Sequence, residues 1–314
     1  MTKPQPVPPE GWAVQNPEPP PPPLRAMKLG NFLKLALPPR QMLLGPIIAE
    51  RSLNMIFAPR GIGKTHLVIG MAIAIATGTR FMRWHAPTPR RVLLIDGEMP
   101  AVALQERFRT ALSGHESVQD AHENMSILAA DSLPDGLPDL ATPEGQEALA
   151  PVLEVQDLLI VDNLSTLCRS GKENEAESWG DMQAWALAQR RAGRAVLFVH
   201  HSGKTGEQRG TSRREDVLET VIKLARPTDY KESEGARFIV SYTKARSLMG
   251  SDAEPFEAWR KDGAWQSASG TSARDAQILA MAEDGMTQRE IARAIKCGPA
   301  TVNRVVKANK DKSA

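Results

Sequence analysis

An α/β fold with a mainly parallel central sheet, carrying a small all-α unit at its C-terminal end, is predicted by three features of this sequence. Apolar, strand-like runs alternate with amphipathic helical patterns through most of the chain, which is the order that βαβ units produce. A glycine-rich loop joins one such run directly to one such helix. Beyond a small, polar stretch at 267–272 the pattern changes to that of three short helices.

Taken in order, residues 1–39 hold 12 of the 24 prolines, including the run Pro19–Pro23. Proline in every few positions removes backbone donors and blocks a helix, so this segment reads as extended or disordered, either a plain solvated tail or one that binds a partner. Strands are expected at Leu53–Phe57, Arg91–Asp96, Leu158–Asp162, Ala195–His200, Val217–Leu224 and Arg237–Thr243, with helices at Lys64–Thr77, Pro100–Ser113 and Glu177–Arg191. Residues 256–266 read as a final hairpin turning at Asp262-Gly263. The predicted organisation is a proline-rich tail at 1–27, an α/β domain at 28–267 and a helical domain at 268–314.

Composition bounds the function. With 41% hydrophobic residues over 314 positions the chain can bury a sizeable core, and its net charge of +2 means that any basic site is local. Only two cysteines are present, Cys168 and Cys297, without metal-ligand spacing. Together with the lack of a charged-then-apolar leader this gives the expectation of a cytoplasmic protein. The most apolar stretch, Leu67–Ala76, is shorter than the ~20 residues a bilayer span needs, so no membrane partner is expected.

The glycine-rich loop is Ala58-Pro59-Arg60-Gly61-Ile62-Gly63-Lys64-Thr65, followed by His66. A strand that enters a glycine loop and leaves through Lys-Thr into a helix is the signature of a phosphate cradle. Gly61 and Gly63 let backbone N–H groups turn inward around phosphate oxygens, Lys64 supplies a point charge, and Thr65 offers a hydroxyl to Mg²⁺. The helix beginning at Lys64 aims its positive end at the same anion. The usual first glycine of such loops is replaced by Ala58.

Two strands end in carboxylates. Leu158–Val161 runs into Asp162, which a parallel sheet would bring beside the loop, where it can hold the shell of Mg²⁺ through water. Val92–Ile95 runs into Asp96-Gly97-Glu98, and an acid in the position of Glu98 could polarise the water that attacks a γ-phosphate, with Asp96 supporting it or the metal. The strand Ala195–Val199 ends in His200-His201 and is followed by Ser202–Arg214, where Lys204, Arg209, Arg213 and Arg214 stand against Glu207. That glycine-rich, +3 stretch suits a nucleic-acid backbone; it also fits an ordinary solvated loop. Lys244 and Arg246 lie two apart on an extended segment and so project the same way, either as a clamp for the phosphates of a neighbouring subunit or as a plain basic strand end.

As an ordered set spanning roughly residues 43–265, these motifs resemble the RecA-type hexameric helicases, and most of all the RepA-like plasmid helicases. The loop resembles the RepA-type one, which also begins Ala-Pro. The resemblance implies a RecA-type P-loop ATPase fold, ATP and Mg²⁺ as ligands, and a homo-oligomer, a hexamer. It implies Glu98 as catalytic base, Asp162 as metal aspartate, His201 as phosphate sensor and Arg246, with Lys244, as an arginine finger acting in trans. The stretch after His201 corresponds to a loop that contacts single-stranded DNA in a central channel. Arg60 and the C-terminal extension depart from the pattern.

That extension reads as helices at Ala273–Glu283, Thr287–Ile295, entered by the capping box Thr287-x-x-Glu290, and Pro299–Asn309. It resembles the helix-turn-helix of small DNA-binding domains, and residues 287–314 carry seven Lys/Arg against two acids. If the last helix enters a major groove, Ala300, Thr301, Asn303 and Arg304 face bases, while Lys307 and Lys310 meet phosphates; a bundle for protein contact is the other reading. The whole points to an ATP-driven DNA motor, a ring-forming replicative helicase of a plasmid or mobile element. The alternative is a DNA-binding ATPase switch that assembles without unwinding.

Overall fold

The computed structural model describes residues 25–169, 175–202, 216–227, 230–268, 275, 278–279, 281–282, 286–295 and 297–310. Two compact units are distinguished, Met1–Pro39 and Arg40–Ala314. Of the first, residues 25–39 are described, and they hold one short helix, α1 (Leu29–Phe32), with Leu29, Phe32 and Leu33 exposed.

The second unit opens on a hairpin, β1 (Met42–Leu44) and β2 (Ile48–Ala49). Strand β3 (Leu53–Ala58) then runs into the glycine loop and α2 (Lys64–Thr77). A second hairpin, β4 (Arg80–Phe81) with β5 (Trp84–His85), precedes β6 (Val92–Asp96), α3 (Ala101–Leu112), α4 (Val118–Asn124) and β7 (Met125–Ala129). Next come α5 (Pro143–Leu153), β8 (Leu158–Asp162), the single turn α6 (Leu164–Leu167), α7 (Glu175–Arg191) and β9 (Ala195–His201). Strands β10 (Thr220–Ala225), β11 (Arg237–Ala245), β12 (Phe256–Lys261) and β13 (Ala264–Ala268) complete the sheet. Helices α8 (Gln288–Ala294) and α9 (Pro299–Lys310) close the described chain.

Nine strands form one sheet in the order β13-β12-β11-β10-β3-β9-β8-β6-β7. The six from β10 to β7 are mutually parallel, and β11 to β13 add an antiparallel flank. The predicted α/β architecture with a mainly parallel sheet is therefore the observed one. Alternate residues of the central strands separate cleanly. Ile56, Leu94, Ile160 and Leu197 join the core under α2, while Met55, Phe57, Leu159, Val161 and Phe198 pack against Trp179, Met182 and Trp185 of α7. Both faces are covered, as a parallel sheet requires. Eleven of the fourteen residues of α2 are buried, which explains its nearly continuous apolar sequence: it is wrapped by protein on most sides.

Several elements differ from the sequence expectation: the hairpin β4–β5 and helices α4, α5 and α6 are not among those expected, and three further differences have a plain cause. The edge strand β7 has two exposed residues and no clean alternation, so its pairing with β6 comes from tertiary context. The hairpin β1–β2 is too short to leave a periodic signal. Strand β10 begins at Thr220, later than Val217, because Leu218 is spent on the α7-side core before the ladder with β3 starts.

The C-terminal helices have their own small core of Ile278, Ile291, Ala292, Val302 and Val305. The expected capping box is present: the Thr287 hydroxyl accepts from the Glu290 N–H at 3.4 Å, and the Glu290 carboxylate accepts from the Thr287 N–H at 2.8 Å. Among the described residues no helix is long and apolar enough to cross a membrane.

Candidate nucleotide site

A doubly wound parallel sheet gathers the carboxyl ends of its strands along one edge, and loops leaving that edge form the site. Strands β3, β9, β8 and β6 are neighbours, so the glycine loop, His201, Asp162 and Glu98 are brought side by side although they span more than a hundred residues of sequence. A cavity of about 500 Å³ opens there, lined by Arg60–His66, Asp96, Glu98, Arg107, Asp162, His201, Gly235 and Ala236. That volume is in the range of small-ligand pockets.

The loop has the left-handed glycines that its shape needs, with φ of 71° at Gly61 and 108° at Gly63. Lys64 folds back over it. Its ammonium donates to the carbonyls of Ala58 at 3.2 Å and Pro59 at 3.1 Å, and to Nδ1 of His201 at 3.0 Å. All three N–H groups are thereby used, and an incoming phosphate would compete for them. Burial lowers the Lys64 pKa below the usual lysine range, against the opposing pull of Asp162 and Glu98.

This contact sets the state of His201. Lys64 has only donors, so Nδ1 must accept, and the ring proton sits on Nε2, which faces the Glu98 carboxylate at 3.2 Å. Burial and then the Lys64 charge push the His201 pKa down, so the neutral ring is favoured. Asn163 completes the cluster: its amide nitrogen donates to the same Glu98 oxygen, and its carbonyl oxygen accepts from the Thr166 N–H at 3.1 Å, capping α6. Asn163 is thus a site residue, signalled in sequence only as the residue after Asp162.

The two strand-end aspartates do different things. Asp96 accepts the backbone N–H groups of Glu98 at 3.0 Å and Met99 at 2.7 Å, so it shapes the turn that presents Glu98. Asp162 accepts from the Thr65 hydroxyl at 3.4 Å. Burial, and next the charge of Asp96 across the register pair, push the Asp162 pKa up to about 7. The folded chain therefore holds a proton there that an unfolded aspartate, with a pKa near 4, releases. Stability contributed at this site falls as pH rises from about 4 to 7, because the native state binds more protons over that window. Asp162→Asn is accordingly expected to raise the melting temperature of the nucleotide-free protein by several degrees at pH 8.5 and by distinctly less at pH 5.5, measured by calorimetry. An equal gain at both pH values would contradict the assignment.

His66 lies at the start of α2 with Nδ1 3.3 Å from the Arg260 guanidinium. Burial and the nearby cations Arg107 and Arg260 push its pKa down to about 4. Arg60 is exposed on the loop, at the cavity mouth.

Lys244 and Arg246 are not in this cluster. The register pairs Ala245 with Thr220, and Thr220 with Asn54 at the start of β3. The pair is therefore at the opposite end of the sheet from the chain's own glycine loop, where Lys244 and Arg246 both donate to the Asp216 carbonyl, at 3.2 and 3.0 Å. On α9, Ala300, Asn303, Arg304 and Lys307 are exposed and Thr301 is half-buried, while Val302 and Val305 face inward. Lys204, Arg209, Arg213 and Arg214 lie outside the described residues, as does the side chain of Lys310.

Comparison with known proteins bears on the fold. The structure is similar to a KaiC-like protein of the hyperthermophilic archaeon Pyrococcus horikoshii, with a TM-score of 0.51 and 12% identity over 70% of this chain and 90% of that one. It has a weaker likeness to the RadB recombinase, with a TM-score of 0.47 and 12% identity over 69% and 91%. The sequence model of the AAA domain matches residues 18–207, well over half of the chain. This protein belongs to the AAA domain family, with the fold of the RecA-type P-loop ATPases.

Proposed function

We propose that this chain is an ATP-hydrolysing DNA motor, a ring-forming replicative helicase of a plasmid or mobile element, with ATP bound between subunits. The observation that carries the reading is the placement of Lys244 and Arg246 at the end of the sheet away from their own phosphate loop. Two cations so placed have no access to the nucleotide of their own subunit, and a second copy is the natural recipient. Lys64 and the loop amides hold the triphosphate, and Glu98 takes the proton of the attacking water. His201, neutral and joined to both Lys64 and Glu98, registers the γ-phosphate between them in this reading, which those two contacts support.

The residues present fit Mg²⁺. Asp162, a buried carboxyl with the Asp96 carboxyl and the Thr65 hydroxyl beside it, becomes an anionic oxygen site of the kind a hard cation takes once its proton leaves. Among the described residues no three His, Cys, Asp or Glu side chains form a cage, so Thr65 and Asp162 would hold the metal together with phosphate oxygens and water. Bound there, it neutralises charge on the phosphates.

DNA enters the proposal through two features. The basic stretch Ser202–Arg214 follows directly on the His201 strand, which supports a route from hydrolysis to DNA in the channel. The exposed Asn303, Arg304 and Lys307 on α9 support duplex binding by a C-terminal helix-turn-helix domain at 268–314 and keep alive the second reading, a DNA-bound ATPase switch. Single-stranded DNA is expected to stimulate ATP hydrolysis about tenfold or more, and the protein to separate a forked duplex when ATP is supplied. Hydrolysis indifferent to DNA would sink the motor; stimulation without strand separation would select the switch.

A further inference from the structure

The loop joining β10 to β11 is bolted to the phosphate loop. The Arg226 guanidinium donates through Nη2 to the Gly61 carbonyl at 2.9 Å, and through Nη1 to the carbonyls of Gly235 at 2.9 Å and Arg237 at 3.3 Å. Its face is covered by the Tyr230 ring, with the guanidinium carbon 3.6 Å from the ring centre, and the Tyr230 hydroxyl donates to the same Gly235 carbonyl at 3.0 Å. A second fixing point lies one residue on. A Cβ built on Gly63 would stand 2.9 Å from the Cβ of Ala236, so the two backbones meet only because position 63 has no side chain.

We propose that Arg226 is a positioning residue for nucleotide binding: it holds the phosphate loop in its cradle shape and ties it to the Gly235-Ala236 wall of the same cavity. The inference rests on the reading of this cavity as the ATP site. A trans peptide holds its C=O and the following N–H in one plane, pointing in opposite directions. Fixing the Gly61 carbonyl outward onto Arg226 therefore fixes the Ile62 N–H in the opposite direction. Gly61 has a left-handed backbone and no side chain to restrain it, so its peptide would otherwise rotate freely. A planar guanidinium suits the task because its two forks reach the two loops at once, and stacking on Tyr230 fixes its plane. A lysine ammonium could replace one contact but not the bridge.

The test compares Arg226→Ala, Arg226→Lys and the parent in two measurements. Without nucleotide, hydrogen exchange at the Gly61–Gly63 amides is expected to speed up about tenfold in Arg226→Ala, and by less in Arg226→Lys. With ATP, KM is expected to rise about tenfold in Arg226→Ala, with partial recovery in Arg226→Lys and kcat at saturation within about twofold of the parent. Unchanged exchange at those amides overturns the clamp, whatever happens to catalysis. Faster exchange with unchanged KM overturns its role in binding. Faster exchange in Arg226→Ala, with a parent that binds no ATP, leaves the clamp standing and removes the ATP reading instead. If Arg226→Ala does not fold, Tyr230→Ala gives the same readouts, because it releases the guanidinium plane while keeping the cation.

Discussion

Glu98→Gln is expected to lower ATP hydrolysis by about 10²- to 10⁴-fold, the usual contribution of a general base, while ATP still binds with near-parental affinity. The structure makes this substitution unusually clean. The side chain is about half exposed to the cavity, and one of its oxygens is shared by the Asn163 amide and the His201 ring. Glutamine keeps the shape and can still accept those contacts through its carbonyl oxygen, but it has no lone pair basic enough to take a proton from water. The turn that presents it depends on Asp96 and the backbone at 98 and 99, which the substitution leaves intact. Steady-state hydrolysis measured beside equilibrium binding of a fluorescent ATP analogue separates the two effects. Loss of binding together with hydrolysis would mean that Glu98 holds the cluster together and does not act as base; retained hydrolysis would remove it from the chemistry altogether.

Much of this site was legible in sequence, and the reason is geometric. Strands β3, β6, β8 and β9 are buried on both faces, so each reads as a short apolar run, broken only by Asn54 in β3, and the polar residue that ends each run has to lie on the one edge where parallel strands finish together. Ala58–Thr65, Asp96-Gly97-Glu98, Asp162 and His201 follow from that rule with little further information. What escaped was whatever depends on partners distant in the chain. Arg226 lies 165 positions after Gly61, in a loop without motif or periodicity, and only the β10–β3 pairing brings the two together. Asn163 looks like an ordinary helix cap until its other end is seen on Glu98. The edge strand β7, half-exposed, borrows its conformation from β6 and has no pattern of its own. Asp96 offered two readings in sequence, support for Glu98 or for the metal, and its hydrogen bonds to the 98 and 99 amides are those of the first.

The second large effect expected is at Arg246. Arg246→Ala should cut hydrolysis by about 10³-fold or more, the scale on which an arginine finger stabilises transferring phosphate, without weakening the protein's own phosphate loop. The argument is one of reach. Strand β11 starts beside the nucleotide cavity at Arg237 and runs away from it; by Ala245 it is level with the first residues of β3, at the far end of the sheet from Lys64. Within one subunit, Arg246 is committed to the Asp216 carbonyl, a neutral acceptor that it would exchange readily for a phosphate. A finger that serves a neighbour has a diagnostic consequence. Arg246→Ala keeps an intact loop and lacks the finger; Lys64→Ala keeps the finger and lacks the loop. Each alone should be inactive. Co-assembled at equal amounts, about a quarter of the interfaces would pair an intact loop with an intact finger, so hydrolysis should return to about that fraction of the parental rate. A cis-acting Arg246 predicts no recovery at all, because every subunit then carries one broken half of its own site.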